Sequence, residues 1–173
     1  SLFRNTKAKL DEDGDLSYGR DKWLWLGAIA FHWSFLAVLL RHFRFFAEPV
    51  PSFVWMLQSL DGIFKIGVPV LYFTGLILLA SVTYLFLRRV VIPQLSYISL
   101  VADYFPLFLI MAIALSGILM RHFYKVDVVA VKELTMGLVT FRPAVPDGIG
   151  FIFFAHLFLV SALFAYFPFS KLM

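Results

Sequence analysis

Four stretches of this 173-residue chain run without a single Lys, Arg, Asp or Glu: Trp23–Leu40, Ile66–Leu87, Tyr104–Met120 and Ile149–Ser170. A hydrocarbon core about 30 Å thick needs roughly 20 helical residues, so each of these is long enough, or nearly so, to cross a bilayer. Charged residues stand at their borders: Lys22 and Arg41 around the first, Arg88 and Arg89 after the second, Asp103 and Arg121 around the third, Lys171 after the last. Pro69 and Pro106 sit early in the second and third stretches, where a missing N–H costs little. Trp23, Trp25 and Tyr104 fall where amphipathic rings mark a membrane–water interface. The expected fold is an all-α integral membrane protein, a bundle of four transmembrane helices.

The bulk numbers exclude the main competitors. With 61% hydrophobic residues, 15% charged and a mean hydropathy of +0.87, the chain is too apolar for a water-soluble globular domain and for intrinsic disorder. It has no cysteine, which removes disulfides, thiol catalysis, thiolate-held clusters and cysteine-ligated zinc from these residues. The net charge of +4 is ordinary for basic loop anchors and points to membrane lipid, with no nucleic-acid partner. Eight basic residues fall on one side of the expected topology and seven on the other, so charge does not set orientation.

Residues 1–22 read as a polar approach to the membrane, without the pattern of a signal peptide. Ser1 is not a start residue and Met173 directly follows an apolar span, so the natural protein is expected to be longer. Between the spans, Phe53–Lys65 (FVWMLQSLDGIFK) is expected to lie along the interface. Val90–Ala102 reads as an uncharged re-entry, and Lys132–Leu138 (KELTMGL) as a short surface helix.

Four histidines carry the chemistry. His32 and His156 lie inside spans, where an ionisable side chain is costly and marks a functional position by default. Imidazole is also the axial ligand that haem iron takes from a membrane helix. His42 follows His32 by ten residues, about 15 Å along a helix axis and about 80° in azimuth, which suits two haems in opposite leaflets. The plainer reading is an intramembrane imidazole that hydrogen-bonds a hydroxyl or a carbonyl. His122, next to Arg121, reads as an interfacial, solvated side chain. Axial ligands are needed in pairs, so the fourth is either His122 or a residue beyond Met173.

The segments Phe31–Phe53, Tyr84–Gln94, Ala102–Phe123 and His156–Met173 resemble the membrane cytochrome b subunits of the nitrate reductase gamma type. Within that family the phrases RHFRFFAEPVP and FPFSKLM are closest to its DsrM branch, found in DsrMKJOP complexes. The resemblance implies that residues 23–173 form one cytochrome b transmembrane domain, with at least one more span upstream, in the cytoplasmic membrane. It implies two b-type haems. His42 and His156 would hold the outer one, and His32 the inner one together with a histidine directly after Met173. Arg41, Arg44 and Arg121 are candidates to pair with propionates of the outer haem, and Arg88 and Arg89 with those of the inner one. Lys65 aligns roughly with a lysine near the quinone, and Gly75 and Gly117 give room for haem faces.

By the same resemblance, electrons pass between menaquinol or menaquinone and a cytoplasmic iron–sulfur partner, DsrK-like and similar to the heterodisulfide-reductase catalytic subunit. The pathway served is dissimilatory sulfur metabolism, and the chain is the quinone-reactive subunit of a membrane oxidoreductase complex. Alternatives are a cytochrome b subunit of a nitrate reductase or another quinone-linked complex, and a non-redox membrane anchor. A transporter is disfavoured because no acidic residue lies within the spans.

Overall fold

The structure, a computed structural model, describes residues 6–10, 16–20, 22–62 and 72–169. Four helices are long and apolar enough to cross a membrane. They are α1 (Lys22–His42), α3 (Phe73–Val91), α5 (Val101–His122) and α7 (Phe151–Tyr166), and α1 and α7 each run on into one 3₁₀ turn. The protein is a multi-pass membrane protein. Three shorter helices join the spans: α2 (Ser52–Asp61), α4 (Pro93–Ile98) and α6 (Val128–Val139).

Backbone chemistry, more than charge, sets the helix ends. α3 runs through Arg88 and Arg89, expected to stop it, and ends before Pro93, whose ring holds Ile92 extended at φ −83°, ψ 112°. Pro93 then opens α4 from the first helical position. α1 likewise continues through Arg41 to His42. The third span starts at Val101, three residues before its uncharged run, because the Asp103 carboxylate accepts the Leu100 N–H at 3.0 Å and caps the helix. The second span was expected from Ile66; its described part starts at Phe73, and residues 63–71, Lys65 and Pro69 among them, lie outside the described residues. Residues 53–61 of the segment expected at the interface lie in α2, the KELTMGL segment lies in α6, and the Val90–Ala102 stretch contains α4.

Within the polar N-terminal stretch, to which the sequence reading assigned no secondary structure, β1 (Thr6–Leu10) and β2 (Leu16–Arg20) pair antiparallel, with Thr6 opposite Arg20 and Leu10 opposite Leu16. The all-α description holds for the membrane-spanning part.

Among the described residues the long helices pack in sequence order, α1 on α3, α3 on α5 and α5 on α7. Leu78, Val82, Ile110 and Ala114 form the buried centre of α3 and α5, covered by Phe31, Phe35 and Val38 of α1 and Leu163 of α7. Val131, Leu134 and Phe153 form a second cluster where α6 meets α7. Gly27 sets the closeness of α1 to α3: a Cβ there would come within 2.7 Å of the Tyr84 ring. Pro106 leaves the Ala102 carbonyl of α5 without its helical donor, and Tyr166 of α7 supplies one from its hydroxyl at 3.0 Å.

Candidate functional site

The last turn of α1 and the middle of α7 bring two histidines together. The rings of His42 and His156 lie 6.5 Å apart, centroid to centroid, and within 14° of parallel. Each is fixed through one nitrogen. His42 donates from Nδ1 to the Val38 carbonyl one turn back, at 2.7 Å. Ser116 of α5 donates to the Ile113 carbonyl at 3.0 Å, so its oxygen is left to accept from His156 Nδ1 at 2.8 Å. A neutral imidazole with its proton on Nδ1 carries the lone pair on Nε2, the state in which it ligates a metal.

The spacing fits a shared iron. Imidazole–metal bonds are about 2 Å and each ring centre lies about 1 Å behind its nitrogen, so two axial imidazoles need centroids about 6 Å apart. The described residues contain no group of three or more His, Asp or Glu side chains able to hold a bare metal ion. Two imidazoles alone suit a metal that brings its own equatorial ligands, as haem iron does. Gly117 lies against this pair: a Cβ on it would stand 3.5 Å from His156 Cε1. The position of a Cβ on Gly75 is open, with nothing within 4 Å.

His32 repeats the local geometry of His42 one level along α1. Its Nδ1 bonds the Ala28 carbonyl at 2.7 Å, and its ring stands edge-on to Phe31. It lies within the first span, as expected, and like Trp33 beside it and His42 ten residues on, it is exposed on the surface of the helix bundle. That side of α1 is where the described chain provides no neighbouring helix. The position expected to complete its pair follows Met173, outside the described residues. His122 closes α5 and is half-buried.

The arginines are in use. Arg41 pairs with Asp61, and its guanidinium also lies 4.2 Å over the Tyr72 ring. Arg121 covers the same ring at 4.0 Å, so Tyr72 is held between two cations. Arg89 donates to the Asp103 carbonyl at 2.8 Å and ties α3 to α5, with Arg88 next to it in the same turn. Arg44 lies over Phe45 and lines a small cleft of about 100 Å³ with Trp55, Gln58 and Lys132. Lys132 also pairs with Glu48.

Asp61 is the functional-grade residue that sequence reading passed over. It is 8% exposed and accepts from Arg41 Nη1, from the Thr74 N–H at 2.8 Å and from the Thr74 hydroxyl at 2.5 Å. A carboxylate is buried only when so compensated. Asp before Gly in LQSLDGIF reads as a turn signal, and only the fold shows that it closes back onto α1. Ser116 was equally silent. A serine in an apolar span is common, and its bond to His156 becomes visible once α5 and α7 pack.

A sequence profile of the nitrate reductase gamma subunit family matches residues 17–173. The chain is 45% identical over 177 residues to a protein of Archaeoglobus fulgidus named "Hdr-like menaquinol oxidoreductase cytochrome b-like subunit", an alignment covering all of this chain and 52% of that protein. It is 40% identical over 176 residues to the protein of the same name in Archaeoglobus profundus, covering 99% of this chain and again 52% of the relative. The chain spans about half the length of the curated relatives it matches.

Proposed function

The chain belongs to the nitrate reductase gamma subunit family, and from that membership we propose that it is the dihaem, quinone-linked cytochrome b subunit of a membrane oxidoreductase complex. The observation that carries this reading is the pair of near-parallel imidazoles, His42 and His156, 6.5 Å apart with both Nδ1 atoms engaged. These two histidines hold the outer haem. His32 and a histidine following Met173 hold the inner one. Haem supplies a one-electron carrier buried in the bilayer.

The protein's own residues then have definite tasks. α1 and α7 each present one imidazole, and Ser116 and the Val38 carbonyl fix both tautomers. Arg41, Arg44 and Arg121 would pair with propionates of the outer haem, and Arg88 and Arg89 with those of the inner one. The phenylalanine-rich surroundings, with Phe31, Phe35 and Phe45 among them, exclude water from the electron path.

The electron donor is menaquinol, as the names of both relatives have it for their own complexes. Lys65, which lies outside the described residues, is the candidate quinone-site residue carried over from the family resemblance. The acceptor is a cytoplasmic iron–sulfur subunit of the heterodisulfide-reductase type, DsrK-like, so that the chain works as a DsrM-type subunit in dissimilatory sulfur metabolism. A reduced-minus-oxidised optical spectrum of the full-length protein tests the reading. It is expected to show b-type bands that appear on addition of a menaquinol analogue. A protein with no b-type band is a membrane anchor and not an electron carrier.

A further inference from the structure

The cleft of about 100 Å³ beside Arg44 is built from three distant parts of the chain. The 3₁₀ turn after α1 supplies Arg44 and Phe45, α2 supplies Trp55 and Gln58, and α6 supplies Val128 and Lys132. Its depth in the bilayer follows from α1, whose 21 residues span roughly the 30 Å of a hydrocarbon core. Arg44, two residues beyond that helix, therefore stands at headgroup level, where the exposed ring of Trp55 also belongs. The polar side chains of the cleft are half-buried donors. Arg44 lies over Phe45, and among the described residues no carboxylate is bonded to it. Lys132 pairs with Glu48, so two cations and one carboxylate leave a net charge of +1. Half-buried cationic donors between Phe45, Trp55 and Val128 call for an anion, and one negative charge balances them.

We propose that this cleft binds the phosphate of an anionic phospholipid, with Arg44, Gln58 and Lys132 donating to its oxygens. The size fits the end of a molecule and no more, since pockets that enclose a drug-sized ligand run from about 300 Å³ upward. Around the cleft the chain is apolar and exposed, at Phe43 and Phe46 beside the turn and at Val129 beside Val128, and the lipid's chains lie there. A phosphodiester brings the single negative charge the group lacks. Free phosphate offers the same oxygens without an apolar body, and a zwitterionic lipid adds a cation to a site already at +1. The bound headgroup ties the turn after His42 to α2 and α6. Arg44 has five N–H donors, so serving the phosphate leaves others for a haem propionate. The site depends on neither haem nor quinol.

The test uses the delipidated full-length protein in detergent, to which phosphatidylglycerol, phosphatidylcholine or inorganic phosphate is added. Bound lipid is counted by native mass spectrometry and Tm is followed in parallel. Wild type is expected to bind phosphatidylglycerol about fivefold or more tightly than phosphatidylcholine, and its Tm to rise with phosphatidylglycerol alone. Lys132→Gln brings the charged group to neutral, and Val128→Trp fills the cleft from α6. Each is expected to weaken phosphatidylglycerol binding about fivefold or more. If one variant fails to fold, the other decides, and the wild-type comparison stands by itself. Equal binding of the two lipids by wild type, an equal rise in Tm with inorganic phosphate, or wild-type affinity for phosphatidylglycerol in a folded variant overturns the proposal.

Discussion

His32 and His42 stand ten residues apart on one helix, and their local structures are alike. Each donates Nδ1 to the carbonyl four residues back at 2.7 Å, and each leaves Nε2 with its lone pair. Both side chains are exposed on the bundle surface, and what separates them is a partner: the His156 ring lies 6.5 Å from that of His42, and no second imidazole stands against His32 among the described residues. The helix therefore sets which nitrogen can ligate, and the tertiary packing sets which imidazole finds a partner. The first is a property of a histidine in any α-helix with the right rotamer. The second requires α5 to carry α7 around to α1, and it comes with its own fixing residue, Ser116, on the intervening helix.

The largest effect expected is a contrast between the two histidines. His42→Ala should remove the outer haem and quinol-dependent reduction together, and His32→Ala should remove the inner haem while quinol still reduces the outer one. Haem-to-protein ratios measured by pyridine haemochrome would check both, and equal loss from either variant of both haems would erase the distinction. A smaller effect is expected at Ser116. Ser116→Ala takes away the acceptor for His156 Nδ1 while leaving the ligand nitrogen in place. Losing the hydrogen-bond partner of a ligating imidazole lowers metal-site affinity by about 10- to 100-fold, so the variant should lose haem during washing and show a shifted midpoint potential. The haem proposed at His32 should not respond, since the described contacts of His32 are with Ala28 and Phe31. The smallest effect is at Tyr166→Phe. It strips the donor from the Ala102 carbonyl that Pro106 leaves open, at a cost of about 0.6 kcal/mol for an average interhelical hydrogen bond in a membrane. Thermal stability should fall slightly while both haem spectra stay unchanged.

Much of this architecture is legible in the sequence because a bilayer tolerates few alternatives. Runs free of charge, bordered by Lys and Arg, become helices since every backbone group must be satisfied within the segment. The borders are less legible where helix chemistry overrides charge. Arg88 and Arg89 stay helical because Pro93, not their charge, ends α3, and Val101–Asp103 becomes helical because Asp103 caps it. The hairpin at Thr6–Arg20 was hidden by its polar, charged composition, which resembles that of a linker. Of the site, the residue types and the ten-residue spacing could be read directly. The resemblance to a family gave the expectation that His42 and His156 share a group, for which spacing alone left His122 or a residue beyond Met173 open. Asp61 was out of reach, since its meaning comes from contacts with Arg41 and Thr74, 20 and 13 residues away in the chain.

In the proposed reading His42 and His156 serve one and the same haem. The most direct measurement is the b-type haem content of the full-length protein in four forms: wild type, His42→Ala, His156→Ala and the double variant. Two ligands of one iron act as a unit, and their losses are not additive. The account predicts that each single variant lacks the same haem and that the double variant lacks no more than either. Losses that add, with the double variant short of a second haem that both single variants keep, would contradict it.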